Sequence, residues 1–284
     1  VSPDGQRVMV LRAATSLASV EGVAEVWSID RTKPEVRLRL APGAAGWSCR
    51  FSPKGDAALL ACDDGGVRLV GLSGGGELRE LTGHGATVRS AVFDADAGRI
   101  LSGSDDRTWR LFSAADGQTL ATALAHEGAV RAVAFSPDGR RAVSAGDDGV
   151  VRLWSLPEGR RLQEFRGHRG AAWCVDVSPD GRRVLSGGED GFVRLWRIGR
   201  EAEQCAFDAH RGGVRGVGFS ANGRRAVSAG ADGAVRLWGL PPLGIESDRL
   251  DEAVLAQSGA APLRAALPEA PALEAARRKL RDET

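Results

Sequence analysis

All four histidines of this chain, His84, His126, His168 and His210, stand 42 residues apart. Three other markers keep the same step. A large aromatic recurs at Phe112, Trp154, Trp196 and Trp238. An aspartate recurs at Asp64, Asp106, Asp148, Asp190 and Asp232. Turn-opening residues recur at Ser52, Asp94, Ser136, Ser178 and Ser220. Four independent markers do not stay in phase over five units by chance. A fixed period of this length restricts the chain to arrays in which each unit packs against copies of itself.

The unit 126–167 shows what one copy is made of. Residues 128–136 (GAVRAVAFS) and 141–146 (RAVSAG) alternate with the period of a strand. Residues 150–156 (VVRLWSL) form a third strand and 160–166 (RRLQEFR) a fourth. Ser136, Pro137, Asp138 and Gly139 have turn chemistry: serine first, proline preset near φ −65°, glycine last. Asp147, Asp148 and Gly149 carry an Asp-Gly hairpin signal. Four short strands joined this way make one antiparallel sheet. Such a sheet cannot bury both its faces alone. Stacking copies radially buries face against face and shortens the exposed edges.

The predicted fold is therefore all-β, a propeller of four-stranded antiparallel blades. Six repeats are visible, at about 1–42, 43–82, 83–124, 125–166, 167–208 and 209–244. Their third strands lie near Trp27, Val70, Phe112, Trp154, Trp196 and Trp238. The opening VSPDG matches FSPDG at 135–139, so the first repeat begins without its inner strand. Its second hairpin loop, around 14–22, is longer than the others. No clear outer strand follows Trp238, and 246–257 is a weak candidate. The reading is an incomplete or open ring and a fragment of a longer protein. Residues 245–284 are an Ala/Pro-rich tail, with a short helix over 271–284 placing Leu273, Ala276 and Leu280 on one side.

The pattern H-x4-R-x-V-x-F-S-P-D-G…S-x-G-x-D-G-x-V-R-L-W resembles the WD-repeat (WD40-type) family. The resemblance is strong over 83–240, moderate over 43–82 and weak over 1–42. It departs from the family in several places: the residue after the aromatic is Ser28, Gly71, Ser113, Ser155, Arg197 or Gly239, never aspartate, and the second repeat lacks the histidine and has Val70 in the aromatic position. Strand direction puts the histidine loop and the Asp-Gly hairpin on one face, here called the top. The resemblance implies a buried hydrogen-bonded chain of His126, Ser144, Asp148 and Trp154. It implies the same for His168, Ser186, Asp190 and Trp196, and for His210, Ser228, Asp232 and Trp238. The third repeat keeps His84, Ser102 and Asp106, but Phe112 has no indole donor. Ser, His and Asp together also suggest a hydrolase triad. A triad is needed once, whereas this set recurs, which marks a structural staple. Arg68, Arg110, Arg152, Arg194 and Arg236 lie two residues before the aromatic, on the same strand face. Their stems are expected to cover neighbouring rings while their heads reach solvent.

Other top-face positions vary. At the start of the inner strand the series reads Trp47, Arg89, Arg131, Trp173, Arg215. Before the hairpin aspartate it reads Asp63, Asp105, Asp147, Glu189, Ala231. The resemblance implies contact with a peptide or protein partner at these positions. Trp and Arg are favoured interface anchors. The competing reading is that Arg and Asp/Glu pair with each other and only solubilise the rim.

Net charge is +1 with 26% charged residues, which gives no electrostatic pull toward nucleic acid or anionic membrane. The interleaved carboxylates argue the same way. Cys49, Cys62, Cys174 and Cys205 lack zinc or disulfide spacing and read as reduced packing residues. No catalytic or phosphate-binding motif stands in its required context; the glycine-rich 71–77 joins two strands of one hairpin. No metal and no cofactor is expected. No apolar run is long enough to span a membrane and no secretory leader opens the chain, so the expected compartment is the cytoplasm. The resulting expectation is a non-enzymatic interaction scaffold, one module of a larger bacterial-type signalling or assembly protein. The alternative is an enzyme or small-molecule binder acting at the central channel.

Overall fold

Tight turns fix where each strand starts. In the fourth repeat the Gly139 amide donates to Ser136 O at 2.8 Å, with Gly139 at φ +63°. The Arg141 amide donates to Ser136 Oγ at 3.0 Å, so the serine closes the loop from both ends. The next hairpin turns at Gly149, φ +73°. These turns deliver strands within two residues of the sequence reading.

The computed structural model describes residues 2–12, 22–39, 45–72, 78–200 and 203–241. Residues Val1–Leu240 form one compact unit. It holds six antiparallel sheets, each ordered as in the chain. The first has β1 (Arg7–Arg12), β2 (Val23–Ser28) and β3 (Val36–Arg39). The second has β4 (Gly46–Phe51), β5 (Ala57–Cys62), β6 (Val67–Gly71) and β7 (Leu78–Leu81). The third has β8 (Val88–Phe93), β9 (Arg99–Ser104), β10 (Thr108–Ser113) and β11 (Thr119–Leu124). The fourth has β12 (Val130–Phe135), β13 (Arg141–Gly146), β14 (Val150–Ser155) and β15 (Arg161–Arg166). The fifth has β16 (Ala172–Val177), β17 (Arg183–Gly188), β18 (Phe192–Arg197) and β19 (Glu203–Asp208). The sixth has β20 (Val214–Phe219), β21 (Arg225–Gly230) and β22 (Val235–Gly239). Four sheets are thus four-stranded, and the first and last show three strands among the described residues. Residues 14–21 of the long loop, the glycine run 73–77, the weak candidate 246–257 and the expected helix at 271–284 lie outside the described residues.

Each sheet packs face to face on the next, through the inner strands β4, β8, β12, β16 and β20. The core is therefore a series of layers between neighbours. Ala134, Val143, Val151, Leu153 and Phe165 of the fourth sheet meet Val177, Val184 and Trp196 of the fifth. The series stops at the sixth sheet. Val143 and Val151 are 0% exposed, but their counterparts Val227 and Val235 are 40% and 67% exposed. Leu237, whose counterpart Leu153 is buried, is 51% exposed. The ring is open.

Two turns of the third sheet break the turn chemistry: Ala97, at φ +58°, stands where Gly55, Gly139, Gly181 and Gly223 do in other sheets, and the second hairpin departs as well. Gly65, Gly149, Gly191 and Gly233 occupy the left-handed region, and the third sheet places Arg107 there at φ +72°. A side chain in that conformation costs about 1–2 kcal/mol. Arg107→Gly is expected to stabilise the protein by about 0.5–1 kcal/mol once the extra freedom of unfolded glycine is subtracted. Urea titration would check it, and an unchanged or lower midpoint contradicts the argument.

Candidate functional site

The top face is built from the histidine loops and the Asp-Gly hairpins. In the fourth sheet His126 Nε2 lies 2.7 Å from Ser144 Oγ, and Nδ1 lies 2.9 Å from Asp148 Oδ1. Trp154 Nε1 donates to the same Ser144 Oγ at 2.9 Å. An indole only donates, so the serine oxygen accepts from Trp154, while the His126 ring bridges serine and carboxylate with Arg152 Nη1 also 2.5 Å from Nδ1. The fifth sheet repeats the chain through His168, Ser186, Asp190 and Trp196, with bonds of 2.8 to 3.0 Å. The sixth repeats it through His210, Ser228, Asp232 and Trp238, at 2.8 to 2.9 Å. In the third sheet His84 keeps Ser102 and Asp106, at 2.7 and 2.8 Å, and Phe112 gives no donor. Burial holds the His84 imidazole below its ordinary pKa, hence neutral at pH 7.

The connectivity is that of a hydrolase triad, but the geometry is not. Ser102, Ser144, Ser186 and Ser228 are at most 1% exposed. In the last three an indole already occupies the hydroxyl oxygen that would attack. Among the described residues no three His, Cys, Asp or Glu side chains gather to hold a metal ion. All four cysteines are free, and burial pushes the Cys174 thiol up to about 12.

The arginines before the aromatics correct the sequence reading. Their heads do not reach solvent: Arg68, Arg152 and Arg194 are 4%, 5% and 8% exposed. Arg152 Nη1 donates to Asp148 Oδ2 at 2.6 Å, and its Nε to Glu164 Oε1 at 2.9 Å. Arg68 binds Asp64 and, at 3.1 Å, Glu80. Arg194 reaches Asp190 at 3.4 Å, and Arg110 is half-buried. Only Arg236, on the uncovered sheet, keeps its side chain 40% exposed while pairing with Asp232. The cause is the hairpin aspartate, four residues earlier, which draws the guanidinium inward. Burial alone would raise Asp148, but the bonds from His126 and Arg152 hold its carboxyl well below the usual range. The staple thus has a fifth member.

The variable series occupies one special backbone position. Pairing of each inner strand with its neighbour shifts register between Gly46 and Ser48, Val88 and Ser90, Val130 and Ala132, Ala172 and Cys174, and Val214 and Gly216. The extra residues are Trp47, Arg89, Arg131, Trp173 and Arg215. Each is the bulged residue of its blade, freed from the ladder and re-aimed. Sequence reasoning found these residues but missed the bulge, whose only signal is one residue too many in the strand.

What they touch divides the blades. Arg89 grips Asp105 with Nε and Nη2, at 2.8 and 2.5 Å. Arg131 grips Asp147 likewise, at 2.5 and 2.7 Å. Where tryptophan fills the bulge, the acid turns back onto the backbone: Asp63 accepts the Ala45 amide at 2.7 Å and Glu189 the Ala171 amide at 3.3 Å. Each tryptophan lies under the next blade's arginine. The Arg89 guanidinium carbon is 4.1 Å from the Trp47 ring centroid, and Arg215 is 4.1 Å from that of Trp173. Trp47 remains 56% exposed. The rim pairing weighed in the sequence thus exists in the third and fourth blades, and the tryptophans stand outside it.

A second concavity lies on the opposite face. It encloses about 420 Å³ and is lined by Arg50, Val92, Ala134 and Asp176, together with Pro-containing turns. Burial raises the Asp176 carboxyl. Its two oxygens are taken by the Phe219 and Val177 amides, at 2.8 and 2.9 Å, so it clips the fifth blade to the sixth.

Radial four-stranded sheets tied by a repeated Trp–Ser–His–Asp staple define a β-propeller repeat protein. Four consecutive stretches, 75–113, 117–155, 159–197 and 202–239, match the family profile described as WD domain, G-beta repeat. Together they cover more than half of the chain, which belongs to the WD-repeat family. Each matched stretch from the second onward takes in the outer strand of one sheet and ends on the third strand of the next, so the family unit spans a blade boundary. Comparison with curated proteins gave no match.

Proposed function

We propose that this chain is a protein-interaction module that binds a peptide or protein segment across its top face, without catalysing a reaction. Repeats of this family generally mediate protein–protein interaction. The observation that carries the reading here is Trp47, 56% exposed at a bulge and stacked by Arg89. A large indole held in a rigid backbone and left to water is a poor surface residue and a good anchor. On this reading the chain is a binding module of a larger signalling or assembly protein in the cytoplasm. The channel alternative has less support, because the unrepeated pair Arg50 and Asp176 lies on the opposite face and both Asp176 oxygens are engaged.

The test is selection of binders from a random peptide display library on the whole chain. The expected result is a set of peptides whose affinity falls at least tenfold for the double variant Trp47→Ala, Trp173→Ala, with the melting temperature little changed. Peptides that bind the double variant as well as the parent would defeat the proposal.

A further inference from the structure

The two arginine blades show what this register does with a guanidinium: Arg89 and Arg131 each hold a carboxylate end-on with two bonds. The sixth blade has the same arginine, Arg215, at the same bulge. Its acid position is Ala231, where the other blades carry Asp63, Asp105, Asp147 and Glu189. Arg215 is exposed and has no carboxylate partner among the described residues. The donor half of a twice-repeated pair is present, and the acceptor half is missing.

A second departure falls at the same place. Two residues before the bulge the repeat reads Ala45, Thr87, Ala129, Ala171, Gly213. A Cβ on Gly213 would lie 1.8 Å from Trp173 Cζ3, so the glycine opens the slot in which that indole lies. Trp173 is half-buried there and forms the floor under Arg215, 4.1 Å from ring centroid to guanidinium carbon. Two substitutions of the repeat, Gly213 and Ala231, thus jointly seat one arginine on an aromatic platform and leave its fork open. A planar fork fits a carboxylate with two parallel bonds, and the ring beneath restrains its rotation.

Resting on the interaction reading above, we infer that Arg215, seated on Trp173, is a pocket for a carboxylate side chain, Asp or Glu, of the bound peptide. The bound acid takes the place that Asp105 and Asp147 fill in the third and fourth blades. The rest of the rim disfavours an acid: Arg131 is already surrounded by the charges of Asp147, Asp105 and Glu189. The pocket therefore sets the register of the peptide.

The experiment uses the tryptophan-dependent peptides selected on the whole chain. An acidic residue is expected at one fixed position. Changing it to Asn or Gln should weaken binding to the parent about fivefold to tenfold, and should cost nothing further in Arg215→Ala. Ala231→Asp supplies the missing acid internally, copying a pair the fold already builds twice, so it should keep its melting temperature and lose the acidic preference. Tryptophan-dependent peptides with no acidic position, or an acid effect that survives in Arg215→Ala, would overturn the pocket and leave the interaction reading standing. Binding only when the position carries phosphoserine would also overturn it. If no selected peptide depends on the tryptophans, the interaction reading fails and the pocket with it.

Discussion

Asp148→Ala is expected to lower the melting temperature by roughly 5–10 °C, corresponding to a loss of about 3 kcal/mol. The carboxylate accepts from His126 and Arg152, which are 4% and 5% exposed. Its removal leaves a buried imidazole nitrogen and a buried guanidinium each short of a carboxylate, with Glu164 still on Arg152. Orphaned groups of this kind cost more than the bond itself was worth. The same change at Asp232 costs less, because Arg236 there is 40% exposed and water can replace the acid. The staple also makes stability depend on pH. Burial opposes ionisation of Asp148, but the bonds to His126 and Arg152 win, so the folded carboxyl titrates below the unfolded one. Its stabilisation is fully present above the ordinary carboxylate range, near pH 4, and drains away as pH falls toward the folded value. An acid titration followed by circular dichroism should therefore show a shallower decline for Asp148→Ala than for the parent. Equal melting temperatures, or equal slopes below about pH 4, would contradict this account.

Trp196→Ala has a still larger expected effect, about 3–5 kcal/mol and roughly 10–15 °C. Trp196 is 0% exposed and lies against Phe165 of the preceding blade, with ring centroids 5.6 Å apart. Its removal empties the layer between the fourth and fifth sheets and strips Ser186 of its donor, held at 2.8 Å. Trp196→Phe separates the two losses. It keeps most of the volume and reproduces the third blade, where Phe112 stands in the same register. Its expected cost is about 1–2 kcal/mol. Thermal melts of both variants decide the matter: similar losses would mean that the hydrogen bond, not the packing, carries the residue.

Much of this was legible in the chain, for a physical reason. Period-2 alternation in 128–136 and the glycine turns at 139 and 149 specify strands and hairpins locally. The 42-residue step then fixes how the sheets associate. Strand direction brings His126 and Asp148 to one face, and the family resemblance implies the rest of the staple, Ser144 and Trp154. Two features were not legible. The burial of the arginine heads is not written in the pattern, because same-face logic places a stem and says nothing of where its head finds charge. Register could have helped: Arg152 pairs across the ladder with Glu164, and Arg68 with Glu80. The bulges were invisible because one unpaired residue leaves apolar alternation nearly intact while turning a side chain away from the sheet. The split between Arg–Asp clamps and Trp platforms depends on that turn.

The uncovered flank of the sixth sheet also bears on how the molecule comes apart. In a closed circle every sheet has two neighbours, and none can leave without breaking two layers. In an open row the last sheet holds on by one. Val227, Val235 and Leu237 are left 40%, 67% and 51% exposed, so the local free energy of opening is lower there than in the middle blades. Backbone amides should exchange faster in β20–β22 than in the middle blades, a gradient rather than a single cooperative loss. The indole floor and open fork of the acid pocket straddle that boundary, Trp173 on the firmer side and Arg215 on the looser one. A ligand bridging them would act as a clasp, and its binding would be read as protection of the terminal blade.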